Sequence, residues 1–270
     1  MEGLCLPDEF VVDLKQGLKL IQSRQGYGLT MDTVLLAHFV SLQPGDRVAE
    51  LGTGNGAIPL LLTTRVEELT VWGLELQPSL ADRAQRSVFL NRLEERIKIQ
   101  SGDLRQIQEI KAPNTFEVVI SNPPYWPVGR GRSNLRCEVA WAKEELGCKL
   151  SEVIIAGHWL LRPGGRMALV HLWERRQEVI ETLLRHGMKP RVYQEIQFNP
   201  KSLPTRILVE AVKSDQPESA EVIPIEVKGK EGDALTAWAQ AVMTKIKREP
   251  LILYTANREF TPEVKVMYDD

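Results

Sequence analysis

Asn122-Pro123-Pro124-Tyr125 follows a run of buried-strand type, Phe116-Glu117-Val118-Val119-Ile120-Ser121, and a glycine-rich turn, Glu50-Leu51-Gly52-Thr53-Gly54-Asn55-Gly56, lies well upstream. The tetrapeptide is suited to presenting acceptor oxygens and an aromatic face to a planar nitrogen that has to become a nucleophile. The lone pair of such an amine is delocalised, and its N–H bonds are far too weakly acidic for a general base to remove a proton first. Accepting both N–H bonds from fixed oxygens draws electron density onto nitrogen instead. Asn122 offers a side-chain amide oxygen and Pro123 a backbone carbonyl. Pro124 stiffens the turn, since proline fixes φ and restrains its predecessor. Tyr125 can stack on the acceptor. Alignment and preorganised dipoles then carry the rate, and no metal or triad is called for. Together with the turn, the motif predicts an enzyme that moves a methyl group from S-adenosylmethionine onto an amino nitrogen.

The turn follows a strand pattern, Arg47 to Leu51, so in an open parallel sheet it falls where ligands bind, beyond the carboxyl ends of the strands. Glycine lets the backbone approach a ligand that a side chain would strike. The pattern is Gly-x-Gly-x-Gly, not the Gly-x-Gly-x-x-Gly of dinucleotide folds. Glu50, Gly52, Thr53, Gly54, Asn55 and Gly56 are the cofactor residues it supplies. Glu75 ends the next strand, 23 residues past Gly52, near the ~20 expected of an acid that accepts from both ribose hydroxyls. Asp103, in Ser101-Gly102-Asp103-Leu104, is placed to accept from the adenine amino group, or to cap the next helix. Leu76 and Leu104 are assigned to the same site.

These residues need a frame, and strand and helix patterns alternate to provide one. Strands are expected at Arg47–Leu51, Leu69–Leu74, Ile97–Gln100, Phe116–Ser121, Arg166–Val170, Arg191–Gln197 and Thr205–Ala211, with helices at Ala57–Thr64, Pro78–Asn91, Ser151–Leu161 and Glu174–His186. Asp32 is the expected cap of an earlier helix and Ser151 of the third. Gly187 is the expected stop of the last. The alternation predicts an α/β fold, a doubly wound, mostly parallel seven-stranded sheet with helices on both faces. Its last two strands form an antiparallel hairpin at one edge. A methyltransferase domain over 1–213, opening with a hairpin and helix in 1–45, would then be followed by a polar linker, Ser214 to Glu221, and a small C-terminal extension over 222–270. That extension has strand patterns at Val222–Val227 and Leu251–Tyr254 around a helix, Ala234–Ile246.

Bulk properties agree. Of 270 residues, 43% are hydrophobic and 26% charged, which fits a soluble globular protein. No run is long and apolar enough to span a membrane, and the acidic start, Met1 to Glu9, has no export-signal pattern. Cys5, Cys137 and Cys148 are scattered, and His38, His158, His171 and His186 show no metal spacing. A reducing cytoplasm is the expected home. With 34 basic and 36 acidic side chains, any nucleic acid must be held by local patches.

Taken together, these motifs resemble the amino-methylating branch of class I S-adenosylmethionine-dependent methyltransferases, which have a Rossmann-like sheet. Gln25-Gly26-Tyr27-Gly28-Leu29-Thr30-Met31-Asp32-Thr33-Val34-Leu35-Leu36 further resembles the N-terminal motif of bacterial tRNA adenine-N6 methyltransferases. Members of that family act on the adenine at position 37, beside the anticodon of a valine tRNA. The resemblance runs from about Leu14 to Val212 and resumes at Tyr254-Thr255 and Phe260 to Val264. It implies that Thr30 and Asp32 lie against the methionine part of the cofactor and that Asn122 to Tyr125 are catalytic. One departure stands out: Ala142-Lys143-Glu144-Glu145 replaces an Ala-Arg-His-Glu segment of the family.

For the implied tRNA, Arg130, Arg132 and Arg136 follow the motif closely, and arginine suits phosphate forks and base stacking. Lys201 can extend that patch, with Arg185, Lys189 and Arg191. Trp126 is the one tryptophan placed to line a base pocket; the other five are core candidates. Methylation of a protein glutamine, as in release-factor methyltransferases, poses the same chemical problem, but those enzymes place a sizeable helical domain before the glycine turn. Guanine-N2 methylation of rRNA and a cofactor-binding module without catalysis are further alternatives.

Overall fold

In the computed structural model, which describes residues 4–26, 28–126, 148–214 and 233–269, the strand that feeds the glycine turn lies inside the sheet. β3 (Arg47–Leu51) pairs in parallel with β4 (Thr70–Glu75) on one side and β6 (Phe116–Ser121) on the other. β5 (Ile97–Ser101) extends the β4 side in parallel, and β7 (Leu161–Leu172) extends the β6 side. The chain thus winds outward through β4 and β5, then returns across β3. The reversal opens a crevice at the carboxyl ends of β3 and β6. Ser121 ties those two ends together, donating its hydroxyl to the Leu51 carbonyl at 2.8 Å.

The helices cover both faces. On one lie α1 (Met31–Phe39) and α2 (Ala57–Thr63); α3 (Pro78–Leu90) adds Val88 to the same apolar cluster. On the other lie α5 (Leu150–Leu160) and α6 (Arg176–Arg185), whose Val153, Ile154, Val179 and Ile180 are buried. A short α4 (Ile107–Ile110) precedes β6. Val118, Val119 and Ile120 are fully buried, as expected for a strand covered on both faces.

β8 (Met188–Gln197) and β9 (Pro204–Lys213) form the expected antiparallel pair, with β9 inserted between β7 and β8. Gly187, at φ +73°, ends the preceding helix. Among the described residues the sheet has eight strands, not seven, because β10 (Leu251–Ile252) adds in parallel to β8. Ahead of it, α7 (Asp233–Ile246) puts Ala239 and Met243 into the core cluster that also holds Tyr193 of β8. A last helix, α8 (Pro262–Tyr268), buries Val264 in the apolar cluster of α1.

In the N-terminal hairpin, β1 (Glu9–Asp13) pairs with β2 (Lys19–Ser23), and Glu9, an acid, occupies a buried position in β1. Two expected caps are corrected. Thr30, not Asp32, caps α1, its hydroxyl accepting from the Thr33 amide at 3.3 Å. Asp32 falls one residue inside the helix, so its carboxylate points to partners elsewhere. Helix α5 begins at Leu150 rather than after Ser151, and Glu152 reaches back to accept from the Lys149 amide at 2.7 Å. The strand expected over 222–227, and the linker beyond Ser214, lie outside the described residues. Among those described, no helix is long and apolar enough to cross a membrane.

Candidate active site

Gly52, Gly54 and Gly56 have φ of +76°, +57° and +85°, all in the left-handed region that side chains disfavour. That run folds the backbone after β3 into a shallow cradle and starts α2 at Gly56. A Cβ on Gly52 would meet nothing within 4 Å, whereas one on Gly56 would lie 3.1 Å from the Ala84 Cβ of α3. Gly52 therefore keeps a ligand-facing surface bare, and Gly56 lets two helices approach.

Glu75 holds the cradle. Its Oε2 accepts from the Gly54 amide at 2.8 Å and its Oε1 from the Gln77 amide at 2.9 Å. Beside it, Glu50 is buried and accepts from the Thr53 hydroxyl. Burial pushes the Glu50 carboxyl up to about 8, opposed by the Thr53 hydrogen bond and reinforced by the Glu75 charge. Asn55 is buried too, and its Nδ2 has no hydrogen-bond partner among the described residues. An orphaned buried donor is costly, and a ligand acceptor in the cleft would relieve it.

These groups line a cleft that opens to solvent and encloses about 860 Å³ of empty space, part of it that solvent. Glu50, Gly52, Thr53, Gly54, Asn55, Glu75, Leu76, Asp103, Leu104, Asn122 and Pro124 all face it, so nine of the twelve expected cofactor residues and half of the tetrapeptide share one space. Thr33, Ile58, Gln77, Leu80 and Cys148 line it as well; none of them was assigned to the site from the sequence. Asp103 also caps, its Oδ1 accepting from the Arg105 amide at 2.9 Å, and the Arg105 guanidinium holds its carboxyl below the usual range.

Thr30, Asp32, Gly56, Pro123 and Tyr125 do not line the cleft. Asp32 and Tyr125 instead meet beside it. The Tyr125 hydroxyl lies 2.8 Å from Asp32 Oδ2 and 2.6 Å from Asn122 Oδ1. Arg206 Nε donates to the same Asp32 Oδ2 at 2.9 Å, and its guanidinium carbon sits 5.1 Å from the Tyr125 ring centre. Arg175 donates to the Tyr125 carbonyl at 2.8 Å. His171, fully buried, packs its ring 5.4 Å from that of Tyr125, and burial pushes it down to about 3. It is a neutral wall of the site. Neither arginine was singled out in the sequence, because their partners are 50 and 174 residues away.

Trp126 is partly exposed and Lys201 is exposed on the loop between β8 and β9. Arg130, Arg132, Arg136 and the Ala142 to Glu145 segment lie outside the described residues. Among the described residues, no cluster of three or more His, Cys, Asp or Glu is placed to hold a metal ion.

Comparison with known proteins gives a family and a fold. The profile of the methyltransferase small domain matches residues 29–192. A tRNA1(Val) (adenine(37)-N6)-methyltransferase of Porphyromonas gingivalis strain ATCC 33277 is 28% identical over 190 residues, covering 66% of this chain and 72% of that protein. A protein of the same name from Yersinia pestis strain Pestoides F is 35% identical over 96 residues, 35% of this chain and 38% of its own length. Among solved structures, a predicted O-methyltransferase from Agrobacterium tumefaciens aligns over 89% of this chain and 99% of its own, with a TM-score of 0.63 and 22% identity. TYW2 of Pyrococcus horikoshii, solved with MeSAdo, covers 78% of this chain and 73% of its own, with a TM-score of 0.55 and 13% identity. At such identities these two structures establish the shared fold.

Proposed function

The chain belongs to the methyltransferase small domain family, and from that premise we propose that it methylates the exocyclic N6 amine of an adenine in tRNA, at position 37 beside the anticodon, with S-adenosylmethionine as donor. The observation that carries this reading is the shared cleft: Asn122 and Pro124 line the same space as the Gly52–Asn55 cradle and Glu75. The names of the Porphyromonas and Yersinia relatives support adenine in tRNA as the acceptor.

The residues fit such a donor. The bare glycine cradle and the orphaned Asn55 amide suit its amino-acid end, Glu75 the ribose hydroxyls, and Asp103 with Leu104 the adenine. When bound, S-adenosylmethionine supplies an electrophilic methyl group. Asn122 Oδ1 and the Pro123 carbonyl accept the two N–H bonds of the acceptor, which aims its lone pair into the cleft. Tyr125 stacks on the base. This is catalysis by alignment and fixed dipoles, and the proton displaced by methylation leaves to solvent. Arg130, Arg132, Arg136, Trp126 and Lys201 are the proposed contacts to the rest of the tRNA, in the cytoplasm.

Methyl-labelled S-adenosylmethionine, offered with fractionated tRNA and with candidate protein acceptors, tests the assignment. Label in tRNA, recovered as N6-methyladenosine on nucleoside digestion, is the expected result. Label entering protein alone would replace it with glutamine methylation.

A further inference from the structure

Arg206 lies at the start of β9, the one strand of the β6–β7–β9 run that points the other way. The reversal matters. It delivers the first residues of β9 to the end of the sheet where β6 and β7 finish, and Arg206 pairs there with Leu172. From that position one guanidinium reaches two of the site's groups. Its Nε bonds Asp32 Oδ2 at 2.9 Å, and its guanidinium carbon lies over the Tyr125 ring, 5.1 Å from the ring centre.

Tyr125 is held so that its hydroxyl faces two oxygens, Asn122 Oδ1 at 2.6 Å and Asp32 Oδ2 at 2.8 Å. A phenol has one hydrogen to donate. In this arrangement that hydrogen lies against the amide oxygen which, in the proposed reaction, accepts from the acceptor amine. The hydroxyl therefore stands where an N–H of the acceptor would come, and Asp32 is the second oxygen to which it can turn.

We propose that Arg206 is a positioning residue for the acceptor. By fixing Asp32 and the Tyr125 ring together, it keeps the Asn122 amide oxygen oriented through the Tyr125 hydroxyl until an acceptor N–H replaces that hydroxyl, which then donates to Asp32 alone. The exchange swaps hydrogen bonds only; no covalent bond changes and no proton leaves. The inference rests on the reading of the site as an amine methyltransferase, and it adds a residue from the far end of the chain to that site. A lysine can pair with Asp32 but has no planar guanidinium to set against the ring as well, so the guanidinium has two separable roles.

Arg206→Met and Arg206→Lys separate them. Tyrosine carrying ring ¹³C, with the Tyr125 signal identified by its loss in Tyr125→Phe, reports the ring without any acceptor. In Arg206→Met the signal should shift and narrow as the ring becomes mobile. S-adenosylmethionine affinity should stay within about twofold, because Arg206 does not line the cleft. With tRNA, kcat should fall about tenfold or more while KM moves less, the pattern of lost alignment. Arg206→Lys should recover part of kcat and leave the ring signal displaced. An unmoved Tyr125 signal, or a loss confined to KM, would overturn the proposal. If the ring responds as described but wild-type protein labels no tRNA, the positioning role stands and the acceptor assignment fails, so the two readings fail separately.

Discussion

Glu75 and Gly54 are joined across the mouth of the cleft by a 2.8 Å hydrogen bond from the glycine amide to the carboxylate. The same carboxylate accepts from the Gln77 amide, at the entry to α3. One side chain at the end of β4 therefore ties the loop after β3 to the helix that follows β4. Two backbone amides fix the orientation of both oxygens.

Glu75→Gln keeps the shape but puts an amide N–H where one of the two oxygens stood, facing a backbone donor. Hydrogen bonds to a charged group are worth roughly 1.5–3 kcal/mol. Affinity for S-adenosylmethionine should therefore fall by about tenfold or more by calorimetric titration. Unchanged affinity in a folded variant would remove Glu75 from the cofactor site.

Asn122→Ala deletes the amide oxygen that faces the Tyr125 hydroxyl, and with it the proposed acceptor of one amine N–H. Because the cofactor groups on β3, β4 and β5 are untouched, cofactor titration should give an unchanged dissociation constant. Label transfer to tRNA should fall by at least about a hundredfold, as for removal of an oriented dipole. A variant that folds but no longer binds S-adenosylmethionine would make Asn122 a cofactor ligand instead.

Glu50 gives a pH dependence that needs no substrate. Burial raises its carboxyl from an ordinary 4.5 to about 8, so between those values the native state keeps a proton that the unfolded chain has lost. Stability contributed by the neutral form is thus complete below about pH 4.5 and declines as pH rises toward 8. Glu50→Gln, neutral at every pH, should flatten that decline in urea titrations at pH 5, 6.5 and 8. An equally steep decline in the variant would place the titrating group elsewhere.

What the sequence made legible was local. The Gly-x-Gly-x-Gly run, Glu75 and the Asn-Pro-Pro-Tyr turn each declare a backbone shape or a chemical group within a few residues, and the strand pattern before each one says where it sits. Asn122, Pro124, Glu75 and Asp103 consequently fall in one cleft. Arg206 and Arg175 escaped notice, and His171 was read only as lacking metal spacing, because nothing beside them in sequence marks them; only sheet order brings them to Tyr125. Asp32 was read as a cap because Ser, Thr, Asp and Asn all serve there. Thr30, two residues earlier, takes that place and frees the acid to meet residues from two other elements. The eighth strand falls within the pattern expected at Leu251–Tyr254, but nothing local shows that it joins the edge of the main sheet beside β8.

Glu9 was likewise invisible as a structural residue, yet it clamps the N-terminal hairpin to α3. Its Oε1 accepts from Arg83 at 3.0 Å and from Arg86 at 2.8 Å, and its Oε2 accepts from the Leu6 amide at 2.9 Å. The Glu9 side chain is 1% exposed and that of Arg83 is 6%. A two-stranded hairpin is marginal on its own, so β1 and β2 depend on this docking, which Ser87 and Asn91 extend by accepting from the Ile21 and Lys19 amides. Hydrogen bonding to Arg86, chiefly, holds the Glu9 carboxyl down at about 2. The clamp is therefore fully stabilising above about pH 4.5, the ordinary carboxyl value, and is lost as pH falls through about 2. Glu9→Ala should cost on the order of 3–5 kcal/mol at pH 7, since it removes the shared carboxylate of a buried ion-pair cluster with Arg83 and Arg86. The gap between wild type and variant in urea titrations should then narrow as pH drops from 5 to 2. Amide exchange in β1 and β2 should quicken over the same range in the wild type and be fast throughout in the variant. A gap that stays constant with pH would mean that shape, not charge, holds the hairpin in place.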